Sequence, residues 1–173
     1  MPEKNARYFL REKESKALLD KGSARLKTDL GKILAGKTSL EIVRMDFADV
    51  FLVNGRPSFI EAEGKFYPTL IFDELLTAMP KLVVDMGAIP HICKGADVMA
   101  PGIREFHGDF CKGDLVVVID EKHGKAVAVG EALFNIEEAK KTNQGPIAEN
   151  IHFVGDKAWC RIREFETKAR LNS

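Results

Sequence analysis

The chain has 173 residues and carries 26 basic against 26 acidic side chains, a formal net charge of zero. At 45% hydrophobic and 30% charged it can bury a core as one ordinary or two small domains, which excludes a disordered tail. The balance excludes a histone-like protein that holds polyanions by bulk charge, and no apolar run approaches the ~20 residues of a membrane span.

Arg7-Tyr8-Phe9-Leu10 reads as a short strand. No signal peptide is expected before it. A helix follows over Lys13 to Asp20, with Gly22 as its stop, and a second near Lys27 to Leu34, ending at Gly36. Leu26, Leu30, Ile33 and Leu34 give that second helix one apolar face. The period then switches. Leu40 to Met45 is strand-like, and Val50-Phe51-Leu52-Val53, Asn54-Gly55 and Ser58-Phe59-Ile60 form a hairpin. Asn-Gly suits a type I′ turn, whose two central residues need positive φ. Pro57 lacks an amide hydrogen, so the strand start there is unpaired or on an edge. A helix begun near Pro68 runs to Pro80.

Beyond Pro80, Leu82-Val83-Val84 is a strand. Residues 87–94 read as a short helix with Gly87 as N-cap and Pro90 in its first turn. Leu115 to Ile119 is a buried strand, residues 121–124 turn, and Ala126 to Phe134 returns as its partner. Asn135-Ile136-Glu137-Glu138 is a capping signature for a helix ending before Gly145-Pro146. Ile151 to Val154 and Ala158 to Ile162 read as closing strands around Gly155-Asp156. The architecture is α+β: an N-terminal unit over residues 1–80, then a strand-rich unit over 81–173 with two short helices, a small β pseudo-barrel.

Cys93, Cys111 and Cys160 are odd in number and widely spaced, which favours a reduced, cytoplasmic protein over a disulfide framework. His91/Cys93 and His107/Cys111 are zinc-type ligands, but no Cys-x-x-Cys knuckle accompanies them, so no metal is expected. No signature surrounds a thiol nucleophile, and Cys93 and Cys111 read as packing residues. Gly31 and Gly36-Lys37-Thr38 have the spacing of a phosphate loop, but they lie between an expected helix and an expected strand, the reverse of the strand–loop–helix order such a loop needs, so the stretch reads as loop chemistry. No cofactor and no catalysis are expected.

Residues 85–103 are the distinctive segment. Gly87, Ala88, Gly95, Ala96, Ala100 and Gly102 keep side chains out of the way, which allows close approach of a ribose-phosphate chain or simply tight turns. Tight turns are the commoner reason for glycine. Lys94 can neutralise a phosphate, Asp97 can accept from a ribose 2′-hydroxyl or a base amine, and Met99 and Ile103 can meet a base face.

The run from Asp85 to Ile103 resembles the PUA domain motif of pseudouridine synthases and archaeosine transglycosylases. Gly113-Asp114, Ala128-Val129-Gly130 and Gly155-Asp156-Lys157-Ala158-Trp159 extend the likeness. Val53-Asn54-Gly55-Arg56-Pro57, Phe66-Tyr67-Pro68-Thr69-Leu70 and Ala148-Glu149-Asn150-Ile151-His152 resemble the malignant T-cell-amplified sequence protein family. That family includes the N-terminal region of ligatin and archaeal PUA proteins of similar length.

The resemblance implies an N-terminal pre-PUA domain followed by a PUA pseudo-barrel that binds structured RNA, tRNA or rRNA. It implies work on the small ribosomal subunit in translation initiation or recycling, with a partner of the density-regulated protein type and no membrane. It brings no catalytic residues. The RNA-contacting positions it implies are His91, Lys94, Gly95, Ala96, Asp97, Val98, Met99, Pro101, Gly102 and Ile103, with Lys157, Arg161 and Arg163 on a last strand. An alternative reading is an accessory protein of tRNA or rRNA modification. Another is a protein-interaction module whose partner covers the apolar hairpin of residues 50–60. Charge shapes the RNA reading. Residues 1–80 hold 13 basic and 12 acidic side chains, and residues 81–173 hold 13 and 14. Neither half is a basic body, so weak binding to isolated RNA is expected.

Overall fold

The computed structural model describes residues 5–34, 36 and 38–172. Ala35 and Lys37, within the Gly31-to-Thr38 stretch, lie outside them. The chain forms two compact units, residues 1–75 with 162–173, and residues 76–161. The expected boundary at Pro80 placed the last residues with the second half.

The first unit is built on a five-stranded antiparallel sheet in the order β1 (Arg7–Phe9), β2 (Leu40–Arg44), β3 (Asp49–Val53), β4 (Arg56–Ala62), β5 (Lys65–Pro68). Asn54 and Gly55 take φ of 51° and 81°, the turn their sequence demands. Both arms of the hairpin are buried from Val50 to Val53 and from Pro57 to Ile60. This corrects the protein-interaction reading, since these apolar residues are core and offer no face to a partner. Pro57 lies on an inner strand, beyond the Phe59–Ala62 stretch that pairs with β5, so its missing amide breaks no ladder there.

Helix α1 (Glu12–Leu26) runs straight through Gly22. A Cβ on Gly22 would stand 2.5 Å from Leu30 Cδ1, so this glycine serves close packing and does not end the helix. Lys27, at φ 51°, ends it. The second helix, α2, is a single turn, Leu30–Ile33, begun at Asp29. The helix expected from Pro68 is a strand there: Phe66 and Tyr67 pair with β4, and Thr69 N–H donates to Ser58 O at 2.9 Å. Helix α3 starts only at Asp73 and ends at Ala78.

The second unit holds a six-stranded sheet in the order β7-β11-β10-β9-β6-β8. Its strands are β6 (Lys81–Val84), β7 (Val98–Met99), β8 (Ile103–His107), β9 (Leu115–Asp120), β10 (Ala126–Ala132) and β11 (Pro146–Phe153). The two edge strands, β7 and β8, are joined by one 3₁₀ turn, Ala100–Gly102. So short a link forces the sheet to curl until its edges meet, which makes the pseudo-barrel. Val84, Ile92, Val98, Val116, Val118 and Ile147 fill it. Two short α-helices, α4 (Ile89–Ile92) and α5 (Ile136–Lys141), lie along the chain. Asn135 precedes α5 as expected, but its Oδ1 accepts from Lys112 N–H at 2.8 Å and does not cap the helix.

The closing strand expected at Ala158 to Ile162 is instead helix α6, Lys157–Leu171. Asp156 starts it: Oδ1 accepts from Trp159 N–H at 2.7 Å. Ala158 and Ile162, four residues apart, are both buried. Five residues read alone mimic a strand, whereas the longer run is rich in Lys, Arg, Glu and Ala.

Candidate functional site

The site segment begins where β6 ends. Asp85 N–H donates to Gly102 O at 2.9 Å, tying the strand end to the 3₁₀ turn. Asp85 Oδ1 accepts from Ala88 N–H at 2.8 Å. Ala88, and not Gly87, is the N-cap position of α4, and Asp85 satisfies the amide of Ala88 itself. Pro90 falls in the first turn, where its missing hydrogen is harmless. Ile92 points into the barrel core while Pro90 and His91 are exposed. The chain then reverses at Gly95, whose φ of +97° favours glycine. A Cβ on Gly102 would come within 3.2 Å of the Ala88 Cβ, so small residues let the 3₁₀ turn close on α4.

Between α4 and the returning segment lies a cleft of about 400 Å³. Of the residues expected from the sequence, it gathers His91, Ala96, Asp97, Val98, Met99, Pro101 and Gly102. Lys94 and Gly95 belong to the exposed turn between lining residues, and Ile103 opens β8 just after Gly102. Lys157, Arg161 and Arg163 do not line it. They sit on helix α6, not on a last strand, with Arg163 in the first unit. Val84, Asp85, Ala88 and Ile92 also line the cleft. Sequence reasoning missed them as contact residues, although Asp85, Ala88 and Ile92 repeat at the three- and four-residue spacing of one helix face.

The lining includes the carboxylates of Asp85 and Asp97 and the ring of His91, but no Lys or Arg. Most of the rest is apolar, and Met99 is 46% exposed. Asp97 Oδ1 accepts from Asn150 N–H at 3.0 Å, a bond that does not use Oδ2. Cations stand around the cleft. Lys94 is exposed, and Arg104 pairs with Asp85 Oδ2 at 3.6 Å and with Glu121 Oε2 at 3.7 Å. The cleft is thus an apolar slot with acceptors in it, with Lys94 beside it and an Arg104 that two carboxylates already match.

Burial pushes the Cys93 thiol up, away from thiolate. Cys111 and Cys160 are exposed and separate. Among the described residues no group of three His, Cys, Asp or Glu is placed to hold a metal ion. His152 is fully buried and meets Asp156 Oδ2 at 2.8 Å. Partial burial works to raise the Asp156 carboxyl, but the His152 ring and the Trp159 and Phe153 amides outweigh it and hold it below the ordinary carboxylate value. This pair organises the start of α6.

A family model described as PUA domain matches residues 80–154, and one described as Domain of unknown function (DUF1947) matches residues 6–72. An uncharacterized protein of Methanocaldococcus jannaschii is 37% identical over 88% of this chain and 94% of its own length. Translation machinery-associated protein 20 of Saccharomyces cerevisiae is 30% identical over 83% of this chain and 84% of that protein. Malignant T-cell-amplified sequence 1 of Rattus norvegicus is 32% identical over 75% of each. Among solved structures, a PUA domain from Aeropyrum pernix K1 in a tartrate complex aligns over 92% of both chains, with 26% identity and a TM-score of 0.80.

Proposed function

The chain belongs to the PUA-domain family that contains Translation machinery-associated protein 20 and Malignant T-cell-amplified sequence 1, and from that premise we propose that it binds RNA in translation, without catalysis. The observation that carries the reading is the slot between α4 and the 96–102 segment. A base is flat, with apolar faces and donors at its edge, and about 400 Å³ of mostly apolar space with the Asp97 carboxylate at its edge suits it. The absence of Lys and Arg from the lining argues against a buried phosphate. Phosphates instead run past Lys94 and Arg104, while Asp97 takes a ribose hydroxyl or an exocyclic amine.

The residues from about Pro80 onward form the RNA-contacting domain in this reading, and the first half orients it. The target is tRNA or rRNA on the small ribosomal subunit, in initiation or recycling, with a partner of the density-regulated type beside it. The names of the relatives support the translation part.

Fluorescence anisotropy with tRNA and with small-subunit rRNA fragments tests the contact surface. Lys94→Glu should weaken binding and lower the salt slope by about 1. Affinity and slope identical to wild type would remove Lys94 from the interface. Incubation with unmodified tRNA and mass analysis of its nucleosides tests the absence of catalysis. A new modified nucleoside would replace the binding reading with a modification one.

A further inference from the structure

The turn that forms the cleft rim, residues 93–97, bonds mostly to itself and to α4. Lys94 and Ala96 N–H both donate to His91 O at 3.1 Å, and Gly95 N–H donates to Ile92 O at 3.0 Å. Asn150 on β11 adds bonds from outside. Its Nδ2 donates to Ile92 O and to Ala96 O, each at 3.0 Å, and its backbone N–H donates to Asp97 Oδ1 at 3.0 Å. Three bonds from one residue thus span the whole rim.

The strand is shaped to place this residue. Asn150 pairs with Gly130 and His152 with Val129, so Ile151 bulges between them. A bulge re-aims the neighbouring side chain. A Cβ on Gly130 would stand 3.0 Å from Glu149 O and 3.2 Å from Ala148 Cβ, so glycine is what lets β10 lie so close beside Asn150. The amide orientation is fixed by its surroundings. Exchanging its nitrogen and oxygen would press Oδ1 against two carbonyl oxygens. As placed, Oδ1 is buried with no hydrogen-bond partner. Buried polar atoms are rarely left so. The side chain is committed to holding the turn, even at the expense of its own acceptor.

We propose that Asn150 is the positioning residue of the cleft: it presets the α4–β7 turn, aims Asp97, and through Asp97 sets a preference for ligands that bring a hydroxyl or amino donor. This rests on the RNA reading above for the ligand, but not for the turn. It also gives the Ala148-Glu149-Asn150-Ile151-His152 motif a task beyond pairing strands.

The test uses the full chain and a stem-loop RNA with a single-stranded 3′ tail, beside the DNA of the same sequence. Wild type should prefer the RNA. Asn150→Ala, Asn150→Asp and Asp97→Asn should each reduce that preference by about fivefold or more, and the Asn150→Ala/Asp97→Asn double variant should lose no more than either alone. Asn150→Asp keeps the size but removes the amide donor, so its failure separates bonding from packing. Equal losses of RNA and DNA affinity, or fully additive losses, would overturn the proposal. Hydrogen exchange provides a readout without ligand. Asn150→Ala should speed exchange at Lys94, Gly95 and Ala96 by about tenfold or more and leave β9 unchanged. Unchanged exchange in the turn would overturn the positioning claim. A wild type that binds no RNA would sink the RNA reading, while exchange would still decide the turn.

Discussion

At Gly95 the backbone takes a φ of +97°, and an added Cβ would lie 3.4 Å from the Phe153 ring. Gly95→Ala should therefore cost about 1–2 kcal/mol, read as a fall in the urea midpoint with an unchanged slope. Met99 is the opposite case. It lines the cleft yet is exposed, so Met99→Glu should leave the melting temperature alone and reduce RNA affinity by about tenfold, as anisotropy would measure. A loss of stability without loss of binding would reverse those two assignments. At this scale much of the cleft was legible: small residues and glycines in one run signal close approach, and Asp97 and Met99 stand out as a polar and an apolar contact among them. Val84 and Ile92 were hidden, because each also serves the core and reads as an ordinary buried apolar residue. Asn150 was hidden because its partners lie more than fifty residues away.

Elements were legible where the local signal and the packing agreed. The Asn54-Gly55 hairpin and the strand from Leu115 to Asp120 are of this kind. They were misread where a residue type has two uses. Gly22 reads as a helix stop and proves to be a packing contact with Leu30, so Gly22→Ala should destabilise by about 1–3 kcal/mol despite its better helix propensity. Greater stability in that variant would mean that Leu30 moves aside freely. The start of helix α6 reads as a strand because Gly155-Asp156 has the residues of a turn, whereas Asp156 caps the helix. Asp156 and Asp120 both have carboxyls held below their ordinary value, against burial that works to raise them. In Asp156 the lowering comes from His152 and backbone amides, and in Asp120 from the amides of His123, Lys125 and Lys122. Each therefore adds stability above the ordinary carboxylate value, and that stability is lost as pH falls through the folded-state value. Urea midpoints should fall as pH drops below about 4, less steeply in Asp156→Asn. An identical pH slope in that variant would remove Asp156 from the account.

At the scale of the whole molecule, zero net charge sets the kind of RNA binding that is physically available. A neutral chain has no broad field to draw in a polyanion, so affinity must come from a local fit, and a slot without Lys or Arg in its lining agrees with that. Isolated RNA should bind weakly, with a shallow salt dependence, and stronger retention should appear on a larger assembly. The most direct test of RNA contact through this slot is crosslinking of the full chain in native extract, followed by sequencing of the attached RNA, for wild type and for Ala96→Trp, which fills the slot from its exposed rim. Wild type should recover small-subunit rRNA or tRNA, and Ala96→Trp should lose most of it while melting at the same temperature. RNA recovered equally by both chains, or by neither, would contradict the account.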